Sequence, residues 1–359
     1  MVARLRDAGA IVLAKTNVPE YSSSYETDNL VHGRTNHPLD PARTAGGSSG
    51  GEGALAGADA TPLGIGTDGG GSLRVPAHYC GVIGLRPTVG RVPDTGTWPS
   101  TRASGYMDLF CVGPIARYVE DVALVLPIIA GPDWIDPHAV PAPLGDPGEV
   151  AVGQLRVGWF ADDPRLAVSA PTGAALARSV DAMRDAGAHV TEVQAPWDED
   201  PTELFFDCVA ADGGAQMRAD LRGARGRHHP GFQALIDAVQ TRRVSAAEWF
   251  EIQRRVYRLR ARMRHLATSV DMLLCPVVAG PAPRHGEPPG ALPPGGGHEY
   301  RAFDYVHLLA LAGLPAASVP AGAEDGLPIG VQVAAGPFRE HVLLAGAAAI
   351  EARVDRVKP

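Results

Sequence analysis

The chain reads as an α/β protein, and three observations carry that reading. Helix-like and strand-like patterns alternate from Gly50 onward. Residues 155–160, 172–186 and 189–193 follow one another as strand, amphipathic helix and strand, an order that favours parallel pairing. The C-terminal part returns to compact α/β character, with 305–312 as helix, 316–320 and 329–334 as strands, and 339–352 as helix. At 359 residues and 45% apolar, the chain can bury a large core, as one big domain or two smaller ones.

Taken in order, residues 2–8 read as the end of a helix and 10–14 (AIVLA) as a buried strand. Residues 17–44 are polar and turn-rich, a long surface-lining loop. Residues 50–60 suit a short helix of small side chains, 62–67 a strand, 69–72 a tight loop, 82–85 a short buried strand and 119–130 an apolar-faced helix. Beyond the proline-rich stretch 132–147 lies the strand–helix–strand unit. Ser245-Ala246-Ala247-Glu248 is a capping box opening an arginine-rich helix to about Thr268. Residues 270–274 read as a strand and 280–297 as a proline- and glycine-rich loop.

Composition narrows the function. A net charge of -8 argues against nucleic acid or an anionic membrane as principal partner. Cys80, Cys111, Cys208 and Cys275 form no C-x-x-C pair and read as reduced, buried thiols of a cytoplasmic protein. No secretory pattern opens the chain, and the longest apolar candidate, 307–322, is broken by Gly313, Pro315 and Pro320, so no membrane span is expected. His228 and His229 have no ligand-type neighbours at metal-site spacing, and neither metal nor cofactor is expected. The basic residues are thirty arginines and two lysines, Lys15 and Lys358. Arginine cannot act as a general base at neutral pH, so lysine bases are scarce.

Two serine-bearing glycine runs carry the chemistry: Gly46-Gly47-Ser48-Ser49-Gly50-Gly51 and Thr67-Asp68-Gly69-Gly70-Gly71-Ser72. Glycine lets bare backbone N–H groups converge on a developing oxyanion, which points to acyl transfer. A phosphate loop would need a lysine after the glycines, and a dinucleotide site would need a strand before Gly46; neither is present. Gly46-x-Ser48-x-Gly50 matches a nucleophile elbow, which keeps a Ser-His-Asp esterase open as an alternative. Ser-x-x-Lys is excluded, because Val12 and Asp355 stand three residues before the lysines.

Residues 46–93, from GGSSGGEGAL through GTDGGGSLRVPAHYCG to GRVP, resemble the signature of the amidase-signature hydrolases, and GGSSGGEGAL is similar to their fatty-acid-amide-hydrolase-like branch. AIVLAKTNVPE at 10–20, GPIAR at 113–117 and AGLPAASVPAGAEDGLPIGVQ at 312–332 extend the resemblance, with 155–297 matched more loosely. It implies one amidase domain over 1–359, with 46–93 as signature core and 150–300 as a more variable region. The implied fold is an α/β/α sandwich around a large mixed sheet, and the implied substrate is a small-molecule amide or ester; a homodimer is possible within the same reading. Ser72 is then the acyl-forming nucleophile and Ser48, after a cis peptide, the bridging serine. The amides of Gly69, Gly70, Gly71 and Ser72 form the oxyanion hole. Ser49 supports the network, Asp68 and Arg74 brace the loop, and His78 lines the pocket or the core. The loop from Glu20 to Thr27 and the loop around Tyr106 are candidates for shaping the acyl pocket, and Tyr21 and Ser22 for contacting substrate.

The family's third catalytic residue is a lysine that takes the Ser72 proton through Ser48. Lys15 stands at the K-T-N position, which is not the catalytic one, and the catalytic segment would fall before Met1. The expectation is therefore a chain missing its N-terminal elements, with a pseudoenzyme or binding scaffold as the alternative and Lys15 as a substitute base as a third option.

Overall fold

The computed structural model describes residues 1–98, 108–222, 227–287, 300–354 and 357. A short helix, α1 (Val2–Asp7), and a two-residue hairpin, β1 (Asp28–Asn29) with β2 (Gly33–Arg34), precede the main sheet. That sheet has eight strands: β3 (Leu63–Asp68), β4 (Ile83–Arg86), β5 (Cys111–Ala116), β6 (Arg156–Trp159), β7 (His189–Glu192), β8 (Met272–Pro276), β9 (Ala316–Glu324) and β10 (Leu327–Ala335). Their spatial order is β3-β5-β4-β9-β10-β8-β6-β7. β6 runs parallel to both β7 and β8, and the other neighbours pair antiparallel. The sheet is mixed, and the fold is α/β as expected.

The strands bury both faces, and β8 shows how. Met272 and Leu274 enter one core while Leu273 and Cys275 enter the other, the period of two that strand geometry imposes. On the first face lie α4 (Val119–Ile129), α5 (Ala170–Asp185) and α11 (Glu340–Glu351), through Val122, Leu126, Val180, Met183, Leu343 and Ile350. On the second lie α6 (Pro201–Val209), α9 (Ala246–Ser269) and α10 (Asp304–Ala312), through Leu204, Phe205, Val256, Leu259, Leu308 and Leu309. The Ser245–Glu248 capping box forms in full and starts α9, whose buried stripe is Ile252, Val256, Leu259 and Met263. Among the described residues, no helix is long and apolar enough to cross a membrane.

Residues 10–14 form no strand. Ile11, Val12 and Leu13 are 84%, 60% and 70% exposed, because no neighbouring strand pairs with their backbone. β5 is a strand that Gly113 and Pro114 disguise in sequence. Pro114 is tolerated because β4 pairs only with Ile115 and Ala116. The loop around Tyr106, the loop beyond Glu287 and Lys358 lie outside the described residues.

Candidate active site

The first serine loop is a buried turn opening helix α2 (Gly50–Gly57). Thr44 Oγ1 accepts from Gly46 N–H at 3.0 Å, and Thr27 Oγ1 donates to Gly46 O at 2.9 Å. Gly46 has φ +81°, and a Cβ there would lie 2.8 Å from Pro76 Cα, so only glycine fits. The Gly47–Ser48 peptide is cis, and Ser48 and Ser49 are 2% and 3% exposed. Before Gly46 the chain makes only isolated bridges at Arg43 and Thr44, so Ser48 does not sit on the strand-to-helix turn of a nucleophile elbow.

The second loop leaves the end of β3 and runs into α3 (Arg74–Cys80). Asp68 organises it from beneath. Its carboxylate, fully buried, accepts from Gly71 N–H at 2.7 Å, Leu73 N–H at 3.2 Å, and Arg74 Nε and Nη2 at 2.9 Å each. Arg86 Nε lies 3.6 Å away. Burial pushes this carboxyl up, but Arg74, Arg86 and the Gly71 amide outweigh it and hold it below the ordinary range. Arg74 in turn donates to Gln332 Oε1 at 2.6 Å and Val306 O at 3.1 Å. Gly71 has φ +127°, which side-chain-bearing residues rarely adopt.

The two loops meet. Ser49 N–H donates to Ser72 O at 3.1 Å, and Ser49 Oγ lies between the Thr67 carbonyl at 3.4 Å and the Thr67 amide at 3.3 Å. Ser48, Ser49, Gly69, Gly70, Gly71 and Ser72 thus belong to one assembly. Gly71 N–H is engaged by Asp68, whereas the amides of Gly69, Gly70 and Ser72 make no hydrogen bond among the described residues. Tyr21 and Ser22 lie apart, on a short turn (Glu20–Ser22) with φ of +58° and +54°. The Tyr21 hydroxyl donates to Asp220 Oδ2 at 2.6 Å, at the end of α7 (Ala215–Asp220), and its ring stacks on Phe232 of α8 (Pro230–Gln240). Tyr25, four residues on, reaches the nucleophile loop instead, donating to Gly70 O at 2.7 Å. Nothing in the turn-rich composition of 17–44 singles it out.

His78 is core, fully buried between Gly330 N–H and Gly280 O, and burial lowers it to about 4. Burial pushes the Cys111 thiol up to about 11 and Cys208 and Cys275 to about 12, so none is a nucleophile at neutral pH. His228, without a sequence-local partner, is met across the fold by Glu20 Oε1 at 2.6 Å. Among the described residues, no three His, Cys, Asp or Glu side chains group to hold a metal.

The site thus joins two serine–glycine loops at one edge of a mixed-sheet α/β fold, with no strand-to-helix elbow at Ser48. The family model "Amidase" matches residues 1–344, and the chain belongs to that family. It is similar to indoleacetamide hydrolase of Bradyrhizobium japonicum, 33% identical over 98% of this chain and 76% of that protein. A glutamyl-tRNA(Gln) amidotransferase component of Thermus thermophilus is likewise 33% identical, over 99% and 78%. The crystal structure of a bacterial aryl acylamidase of the amidase signature family superposes with a TM-score of 0.86 at 27% identity, over 98% and 74%. A fatty acid amide hydrolase structure is 24% identical, a likeness of fold alone. The chain is an enzyme of the amidase class.

Proposed function

We propose that Ser72 attacks the carbonyl carbon of a small carboxylic amide, expels the amine and leaves an acyl-enzyme that water hydrolyses. Esters follow the same route with an alcohol leaving. Ser48 relays the Ser72 proton to the departing amine or alkoxide, and the amides around Gly69 and Gly70 face the oxyanion. The observation that carries this reading is the Ser49 N–H to Ser72 O bond, which ties the bridging-serine loop to the nucleophile loop. The finer form is a serine–serine–lysine relay in which a neutral lysine receives the proton from Ser48. Neither lysine of the chain is given that role: Lys15 is exposed, and Lys358 lies outside the described residues.

The acyl group, which the sequence left open between aliphatic and aromatic, is proposed to be aromatic. Phe205 stands over Gly70, where a Cβ would approach its Cζ to 2.5 Å. Phe205, Phe206, Tyr300, Phe303 and Tyr25 are in ring contact with His307 or one another beside the same loop. Among these, Tyr25, Phe206 and Tyr300 are only half-buried, and such rings offer a planar acyl group stacking surfaces. The similarity to an indoleacetamide hydrolase points the same way. A cytoplasmic location, in keeping with four buried free cysteines, belongs to the same proposal. Steady-state hydrolysis of an arylacetamide against a long-chain fatty amide tests it. Higher kcat/KM for the arylacetamide is expected, and a preference for the fatty amide would make the acyl group aliphatic.

A further inference from the structure

The loop that carries Ser72 is held from two sides. Beneath, Gly71 N–H donates to Asp68 Oδ1 at 2.7 Å; above, the Tyr25 hydroxyl donates to Gly70 O at 2.7 Å. These bonds pin the two ends of one peptide unit, that between Gly70 and Gly71. With glycine on both sides, the unit would otherwise turn with little steric resistance.

The upper bond continues into the protein. Tyr25 has one hydroxyl proton, and a carbonyl can only accept, so that proton lies toward Gly70. The Tyr25 oxygen therefore accepts from His307 Nε2, 2.7 Å away. On the other side of the ring, His307 Nδ1 lies 2.7 Å from Thr202 Oγ1, which also faces Tyr300 O at 3.4 Å. Thr202 and His307 are fully buried. Phe205 stacks on the imidazole at 4.3 Å and 14°, and Phe303 on the Tyr25 ring at 3.8 Å and 19°. Neither polar ring can leave its partners without breaking a stack. The chain of bonds thus links the 17–44 loop, α10 and α6 to the nucleophile loop.

We propose that Tyr25, His307 and Thr202 are positioning residues for the reaction, a hydrogen-bonded strut that fixes the Gly70–Gly71 peptide and so limits how far its two neighbouring peptides, which carry the Gly70 and Ser72 amides, can turn. The proposal rests on Ser72 being the nucleophile. An oxyanion donor contributes only when it is already aimed at the developing charge. Displacing such a group by about 1 Å costs on the order of 100-fold in rate.

The test is the saturation kinetics of Ser72 phosphonylation by an alkyl fluorophosphonate, followed by mass spectrometry, together with thermal melting of each variant. Tyr25→Phe and His307→Leu should lower the limiting inactivation rate about 10- to 100-fold while the half-saturating probe concentration stays put. His307→Gln, whose amide can still donate to Tyr25, should recover most of the loss. Wild-type inactivation rates in both Tyr25→Phe and His307→Leu would overturn the strut. So would a His307→Gln variant that melts like wild type yet reacts as slowly as His307→Leu. A wild-type chain that melts cooperatively but takes no label at Ser72 would overturn the nucleophile reading and the strut with it. Equal rates on a labelled Ser72 would remove the strut alone.

Discussion

Asp68→Asn tests how the nucleophile loop is built. The carboxylate accepts four hydrogen bonds with no solvent exposure, two from backbone amides of the loop and two from Arg74. An asparagine of the same shape keeps one acceptor oxygen and turns an NH2 toward groups that can only donate, so at least one side of the network opens. It also leaves the buried guanidiniums of Arg74 and Arg86 without their counter-charge. Removing one partner of a buried pair costs about 3–5 kcal/mol. That is a large share of a typical folding margin of ~5–15 kcal/mol. The assay is urea unfolding followed by circular dichroism at several pH values, with fluorophosphonate labelling of Ser72 alongside. Because the folded carboxyl is held below its ordinary value, its contribution is present above the unfolded carboxylate range and is lost as pH falls through the lower folded value. The variant should lack that acidic loss as well as the stability at neutral pH. A cost below about 1 kcal/mol, the worth of an exposed pair, would refute the reasoning.

Gly70→Ala should overpack the roof of the site, since its Cβ would come within 2.5 Å of Phe205 Cζ and 3.2 Å of His307 Cδ2. A loss of about 1–3 kcal/mol with slower Ser72 labelling is expected, and an unchanged melting temperature would contradict it. His78, lowered from 6.5 to about 4 by burial, contributes stability above pH 6.5 that is lost as pH falls toward 4. His78→Gln should flatten stability measured across that window. Alanine replacement of each of the twelve histidines should leave amide hydrolysis within about 100-fold of wild type, His307 showing the largest loss. A single histidine costing on the order of 10⁴-fold would indicate a Ser-His-Asp triad.

Much of the sheet and the serine loops could be read from the chain because their causes are local. β6, α5 and β7 follow period and capping, and the two glycine runs announce backbone positions that only glycine can occupy. Where the cause is tertiary, the pattern misleads. Residues 10–14 have strand composition but no partner strand, and β5 hides behind Gly113 and Pro114. The serine loops were legible for the same reason that Tyr25, Thr202 and His307 were not. Tyr25 meets His307 across 282 positions of sequence and Thr202 meets it across 105, distances over which spacing carries no information. The engagement of Gly71 N–H by Asp68 is a third such case, since a glycine run alone does not say which amides point at the substrate.

The central claim is that Ser72 becomes acylated during turnover. Rapid quenching of a reaction with an activated aryl ester or amide, followed by proteolysis and mass spectrometry, measures it directly. An acyl adduct is expected on the peptide carrying Ser72, chased away by further incubation and absent from Ser72→Ala, with Ser48 unmodified throughout. A chaseable adduct on Ser48, or steady turnover by Ser72→Ala at the wild-type rate, would contradict it.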